Sequence, residues 1–257
     1  MAVTGVVMAA GFGRRLQNVV REPKPLAAVA GAPLLCHILG RLAGLPLDRV
    51  CLVVRESDVA FLRYRPWFEQ CAGIPLEVVC LSRESYVGSP LSDLASLGRR
   101  GYFREDEILL VSYCDIVTTF GLGALLDLHQ KRTAAGMVTM LLFDSDKDLF
   151  DHKYRLEPTG RVLIRPEPSA ERGLLAFGGV FVAAGGLLAR YDPTREIQFS
   201  RDGGPAVRAD ALGILFGCAV GEDYCHEVGS PRTFENCSSD VTSDPALRKR
   251  LFPFLLT

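Results

Sequence analysis

A chain of 257 residues with 48% hydrophobic and 23% charged content is long enough to bury roughly three quarters of its unfolded surface, which excludes disorder and collagen-like repeats. Its 29 Lys+Arg against 30 Asp+Glu leave a formal net charge of −1, so no global field holds a nucleic acid or an anionic membrane. Any anionic ligand has to be held by a local site.

Short apolar runs alternate with helix-like stretches through the first 145 residues. Strands are predicted at residues 5–8, 50–54, 76–81, 108–112 and 137–143, and helices near 33–45, 58–70, 91–100 and 122–134. This β–α alternation predicts a mostly parallel sheet covered by helices on both faces. After Asp144 the texture changes: residues 154–157 and 161–165, separated by Pro158-Thr-Gly160, predict a hairpin, and residues 174–182 a long glycine-containing strand. No Ser/Gly/Pro-rich tether and no fixed-period repeat divides the chain. The expected fold is α/β, a single domain over 1–257 with a mixed, mostly parallel sheet flanked by helices and a small antiparallel insertion.

The longest uncharged stretch, residues 173–189, falls short of the roughly 20 apolar residues a bilayer needs and is broken by four glycines, so it reads as buried strands. The first ten residues lack a basic segment ahead of their apolar run, which argues against a signal peptide and for a cytoplasmic protein. Eight cysteines without a single C-x-x-C support neither a zinc site nor a disulfide framework, and read as reduced, mostly buried thiols.

The first strand runs into Met8-Ala-Ala-Gly-Phe-Gly-Arg-Arg-Leu16, followed by Pro23-Lys-Pro-Leu26. A glycine-rich turn after a strand lets backbone N–H groups approach a phosphate chain without Cβ interference, and Arg and Lys supply the countercharge. A dinucleotide fingerprint would need a third glycine where Leu16 stands, and a Walker loop would need Gly-Lys-Ser/Thr, which is absent.

These letters resemble the opening of the nucleotidyltransferases that activate sugar 1-phosphates and related phosphate esters: A-G-G-x-G-T-R-L, then P-K-P-L, then G-x-P-L, here Ala9–Leu16, Pro23–Leu26 and Gly31-Ala-Pro-Leu34. The resemblance implies a Rossmann-like fold, with residues 1–145 binding an NTP and residues 146–257 binding the acceptor. It places the family's catalytic Arg on Arg15 and its phosphate-binding Lys on Lys24, with Ala10, Gly11, Gly13 and Arg14 in the nucleotide loop, Arg14 replacing the usual Thr. It places the metal-binding Asp on Asp115, which also faces the nucleotide, and the second ligand of a Mg²⁺ ion on Glu227 of Glu227-Val-Gly-Ser-Pro, where the family has Asp. Without the resemblance, Asp115 would read as a turn or cap residue and Glu227 as the partner of an Arg.

The acceptor side matches the family less closely. Where the family carries E-K-P, this chain has Arg165-Pro-Glu-Pro168, so Glu167 reverses the sign of the expected cation and leaves Lys153, Arg155 or Arg165 as replacements. Gly179, in Phe177-Gly-Gly-Val-Phe-Val182, resembles the glycine strand beside the family's sugar, and also reads as a core glycine allowing close packing. Gly88 and Ser89 stand where many members have the Gly-Thr that meets the base, but the segment from Tyr86 to Leu97 is also similar to cytidylyltransferases acting on phosphocholine-like or phosphonate substrates. Three functions follow: a sugar-1-phosphate nucleotidyltransferase, such a cytidylyltransferase, or a catalytically weak nucleotide-binding relative.

The implied partners are an NTP and a phosphorylated small-molecule acceptor, with no nucleic acid and no membrane. A phosphomonoester is already dianionic at neutral pH, so its attack needs no general base, which suits a chain of only four histidines. Of these, His226 precedes Glu227 and is a candidate to support it. The C-terminal run from Arg248 to Leu256 joins three cations to an apolar tail that docks onto the domain or onto a second subunit of a homo-oligomer.

Overall fold

The computed structural model describes residues 1–55, 59–82, 89–132, 137–144, 153–165, 172–194, 199 and 204–251. In chain order the elements are β1 (Val3–Met8), β2 (Ala28–Val29), β3 (Ala32–Pro33), α1 (Leu34–Leu42), β4 (Arg49–Arg55), α2 (Tyr64–Ala72), β5 (Leu76–Leu81), α3 (Pro90–Arg99), β6 (Ile108–Tyr113), β7 (Ile116–Thr118), α4 (Gly123–Gln130) and β8 (Val138–Phe143). They continue with β9 (Tyr154–Leu156), β10 (Val162–Ile164), β11 (Ala176–Ala184), α5 (Gly185–Ala189), α6 (Pro205–Ala211), β12 (Leu215–Ala219), β13 (Cys225–Glu227), α7 (Pro231–Ser243) and α8 (Pro245–Leu251).

Among the described residues, seven strands form the main sheet in the order β12-β8-β11-β6-β1-β4-β5. The pairs β6–β1, β1–β4, β4–β5 and β12–β8 are parallel, and β11 alone runs against both of its neighbours. β1 and β8 are buried along their whole length, as central strands covered on both faces must be. One face packs on α1, α2 and α4 through Leu35, Ile38, Phe68 and Leu125, and the other on α3, α5 and α6 through Leu91, Leu94, Leu188 and Ala206. The mostly parallel, two-sided α/β sheet expected from the β–α alternation is what the chain forms, and the predicted hairpin is the antiparallel pair β9–β10.

Two readings change. Residues 173–189 do not stay extended: after Ala184 pairs with Ile108, the Gly185 and Gly186 N–H groups donate to the Glu107 and Glu105 carbonyls and the chain turns into α5. The helix expected over 58–70 is instead a 3₁₀ turn at Val59–Arg63 followed by α2, because Pro66 lacks the N–H that would carry one α-helical ladder through both. Of the seven cysteines whose side chains are described, Cys80 is exposed rather than buried.

A third apolar cluster positions the functional loop. Leu16, Ala27, Val29 and Leu34 from the N-terminal segment meet Val117 and Val228, and behind these Cys237 and Val241 of α7 and Leu247 and Leu251 of α8. The segment after β1 is thereby clamped against the C-terminal helices, and the arginine and carboxylate beside Leu16 and Val228 are held near each other.

Candidate active site

In an open α/β sheet ligands bind beyond the carboxyl ends of the strands, where the strand order reverses. Here the chain steps from β1 to β4 to β5 on one side and returns to β6 on the other, so the reversal lies between β1 and β6. A cleft opens at that point, lined by residues 8–11, Lys24, Pro25, Pro90, Asp93 and residues 113–115. Ala10 is buried in its wall, while Gly11 is exposed and a Cβ there would meet nothing within 4 Å, leaving the backbone open to a ligand.

Gly13 has φ +59°, and a Cβ on it would lie 2.7 Å from the Lys24 Cβ. Glycine at this position lets the loop close onto the 3₁₀ turn Lys24–Leu26, in which the Leu26 N–H donates to Pro23 O. Across the cleft, the turn between β6 and β7 presents Asp115. Lys24 Nζ donates to Asp115 Oδ2 at 2.5 Å, an ion pair only 15% and 18% exposed at its two side chains.

Glu227 comes from the other end of the sequence. β13 pairs antiparallel with β7, setting Glu227 opposite Ile116, and the Val228 N–H donates to Asp115 O at 2.8 Å. The next residues are locked by the cap of α7: Ser230 Oγ accepts from Thr233 N, while Thr233 Oγ1 accepts from the Gly229 and Ser230 N–H groups. A Cβ on Gly229 would lie 2.7 Å from Glu227 Oε1 and 3.1 Å from Arg15 Nη2, so carboxylate and guanidinium flank one glycine. The structure thus gathers Arg15, Lys24, Asp115 and Glu227 at a single point.

Burial, and then the negative charge of Asp115, hold the Glu227 carboxyl well above the ordinary carboxylate range, with Lys24 and Arg15 pulling the other way. Asp115 Oδ1 is buried and, among the described residues, has no hydrogen-bond partner. Two carboxylates crowded together, one with an unused oxygen, are a donor set that suits a hard divalent cation. No cluster of three or more His, Cys, Asp or Glu residues occurs among the described residues, so further ligands would come from phosphate oxygens and water.

The Arg14 guanidinium stacks on exposed Phe12 at 5.2 Å, with Arg55 on the same ring at 4.4 Å. Ser89 is buried just ahead of α3, whereas Gly88 and Glu167 lie outside the described residues. Lys153 and Arg165 sit side by side on the hairpin, joined by a main-chain bond from Arg165 N to Lys153 O of 2.7 Å, and neither lines the cleft. Gly179 has φ +67°, and Ile116 Cδ1 lies 2.5 Å from where its Cβ would be, so glycine lets β11 bulge against the strand that follows Asp115. His226 Nε2 donates to Thr233 O at 2.9 Å, bracing α7. Sequence reasoning assigned no role to Gly229, although it stands within Glu227-Val-Gly-Ser-Pro, or to Asp93, which reads as an acidic residue in the first turn of a helix.

A phosphate-shaped glycine loop, two cations and two carboxylates at the switch point of a parallel sheet define a nucleotidyltransferase. The chain belongs to the MobA-like NTP transferase domain family, whose pattern matches residues 5–140. Over 251 residues it is 25% identical to mannose-1-phosphate guanylyltransferase of Mycobacterium tuberculosis, covering 96% of this chain and 67% of the relative. A 53-residue stretch is 55% identical to CMP-5'-(3-aminopropyl)phosphonate synthase of Streptomyces rubellomurinus, covering 20% of this chain and only 8% of that longer protein. The fold superposes on UTP-bound UGPase from Acinetobacter baumannii with a TM-score of 0.71 at 13% identity, covering 100% of this chain and 99% of that one. Members of the family typically use a divalent metal, and no helix among the described residues is long and apolar enough to cross a membrane.

Proposed function

We propose that this protein transfers an NMP group from an NTP to a sugar 1-phosphate, giving an NDP-sugar and pyrophosphate, with Mg²⁺ and in the cytoplasm. The observation that carries the reading is the meeting of Lys24, Asp115, Glu227 and Arg15 beneath the open loop at Gly11. The similarity to a mannose-1-phosphate guanylyltransferase along 96% of the chain supports the acceptor class.

In the transfer, an oxygen of the acceptor phosphate forms a bond to the α-phosphorus of the NTP as the bond from that phosphorus to the bridging oxygen breaks, and the electron pair leaves with pyrophosphate. The dianionic acceptor carries no proton to remove. Arg15 and Lys24 then act as fixed cations that neutralise charge building on the leaving pyrophosphate, already oriented before the substrate arrives. Asp115 and Glu227 would hold the Mg²⁺, which when bound supplies charge neutralisation on the phosphate oxygens. Residues 1–145 provide the nucleotide half. The acceptor half, residues 146–257, offers Lys153 and Arg165 to the acceptor phosphate and the bulged strand at Gly179 to the sugar.

The 53-residue match to a phosphonate cytidylyltransferase supports a second reading, in which CTP and a phosphonate or phosphocholine-like acceptor are used. One assay separates the two: pyrophosphate release with Mg²⁺, crossing the common NTPs against sugar 1-phosphates, phosphocholine and 2-aminoethylphosphonate. Release with a sugar 1-phosphate, lost in Asp115→Ala, supports the first reading; release only with CTP and a non-sugar acceptor replaces it with the second. Silence across the panel from folded protein that still binds NTP points to the catalytically weak relative.

A further inference from the structure

Asp93 lies on the first turn of α3, where its neighbours Leu91, Leu94 and Ala95 pack into the core. It is only 2% exposed, yet among the described residues its Oδ1 has no hydrogen-bond partner, and Asp93 lines the same cleft that holds Lys24 and Asp115. Desolvation pushes its carboxyl up to about 7. A buried acceptor left without a donor is a standing cost to the fold, and an apolar residue would fill this place better. The arrangement points to a ligand that brings the donor.

Charge decides which part of a nucleotide that is. The phosphates belong beside Gly11, Lys24 and Arg15, and the Asp93 carboxyl repels them once ionised. The cleft that Asp93 lines also carries Pro25, Pro90, Ala9 and Tyr113, apolar surfaces that suit a flat ring better than a polyhydroxylated sugar. Resting on the nucleotidyltransferase reading, we propose that Asp93 reads the nucleobase by accepting a hydrogen bond from an exocyclic amino group at Oδ1, so that the NTP used carries guanine, cytosine or adenine rather than uracil or thymine. An imide edge offers one N–H between two carbonyl oxygens, which oppose a carboxylate, whereas an amino group presents a donor directly.

The test is calorimetric binding of GTP, CTP, ATP, UTP and their 2'-deoxy forms with Mg²⁺ and without acceptor, for the wild type, Asp93→Asn and Asp93→Leu. The expected result is that the best amino-bearing NTP binds the wild type at least about tenfold tighter than UTP. In Asp93→Asn, whose amide can donate to a base carbonyl, that ratio shrinks about tenfold, and in Asp93→Leu the preferred nucleotide weakens while UTP changes little. Tightest binding of UTP by the wild type, or an unchanged base ratio in both variants, would overturn the assignment and leave the transferase reading standing. A change in the ribose-to-deoxyribose ratio in place of the base ratio would also overturn it, since Asp93 would then read the sugar. Folded wild type that binds no nucleotide would overturn both.

Discussion

Lys24 and Asp115 are 91 residues apart in sequence and meet at 2.5 Å, fixed by a glycine turn on one side and by the end of a buried strand on the other. Lys153 and Arg165 are also brought together, but at the open end of a hairpin outside the main sheet, just beyond its two three-residue strands, through a main-chain bond that sets the backbone rather than the side chains. The first pair is placed by the ends of the sheet's own elements, the second by a hairpin appended to that sheet and anchored on it through Tyr154 and Val162. That difference suits a division in which the step common to every nucleotidyl transfer is built into the parallel strands and discrimination is carried by what is appended to them.

The comparison breaks most easily at Asp115. Replacing it with Ala removes the partner of Lys24 and the carboxylate beside Glu227, and is expected to cut kcat/KM by about 10³ with little loss of folding, measured by pyrophosphate release and a thermal melt. Gly229→Ala tests whether the far end of the chain belongs to the same centre: its Cβ would press on Glu227 Oε1 and Arg15 Nη2, and a fall of roughly 10- to 100-fold in kcat is expected from so small a displacement.

Lys153→Met and Arg165→Met sharpen the contrast from the other side. If the hairpin serves the acceptor alone, each raises the acceptor KM about tenfold in steady-state assays and leaves the NTP KM unchanged. A change in the NTP KM would erase the division.

The smallest effect concerns Asp93. Its carboxyl titrates near 7 in the fold and near 3.8 when unfolded, so between these values the folded state holds a proton the unfolded chain has released, and stability falls as the pH rises through that window. Asn removes the titration. Asp93→Asn is therefore expected to melt a few degrees above the wild type at pH 8 and close to it at pH 4, read by differential scanning calorimetry. Stability gained together with lost base preference is the pattern of a group kept for binding rather than for the fold.

Much of this was legible in the letters because it is local. Ala9 to Leu16 and Pro23 to Leu26 each report a turn whose geometry depends on glycine or proline at fixed offsets, and the alternation of apolar runs reports the parallel sheet. The link between Glu227 and Asp115 was readable only by resemblance, since it depends on β13 pairing with β7 and on one hydrogen bond from Val228. The clamp of Leu16 and Val228 by α7 and α8 is equally non-local. Asp93 left no mark because charge in a first helical turn is ordinary, and only its burial makes it unusual.

The most direct test of the central claim follows the α-phosphorus itself. An NTP labelled at that atom is incubated with Mg²⁺, protein and a sugar 1-phosphate, and the products are separated. Transfer at the centre formed by Arg15, Lys24, Asp115 and Glu227 predicts the label joined to the acceptor, unlabelled pyrophosphate in equal amount, and neither product with Asp115→Ala. Label recovered as free NMP, or transfer that survives loss of Asp115, would contradict it.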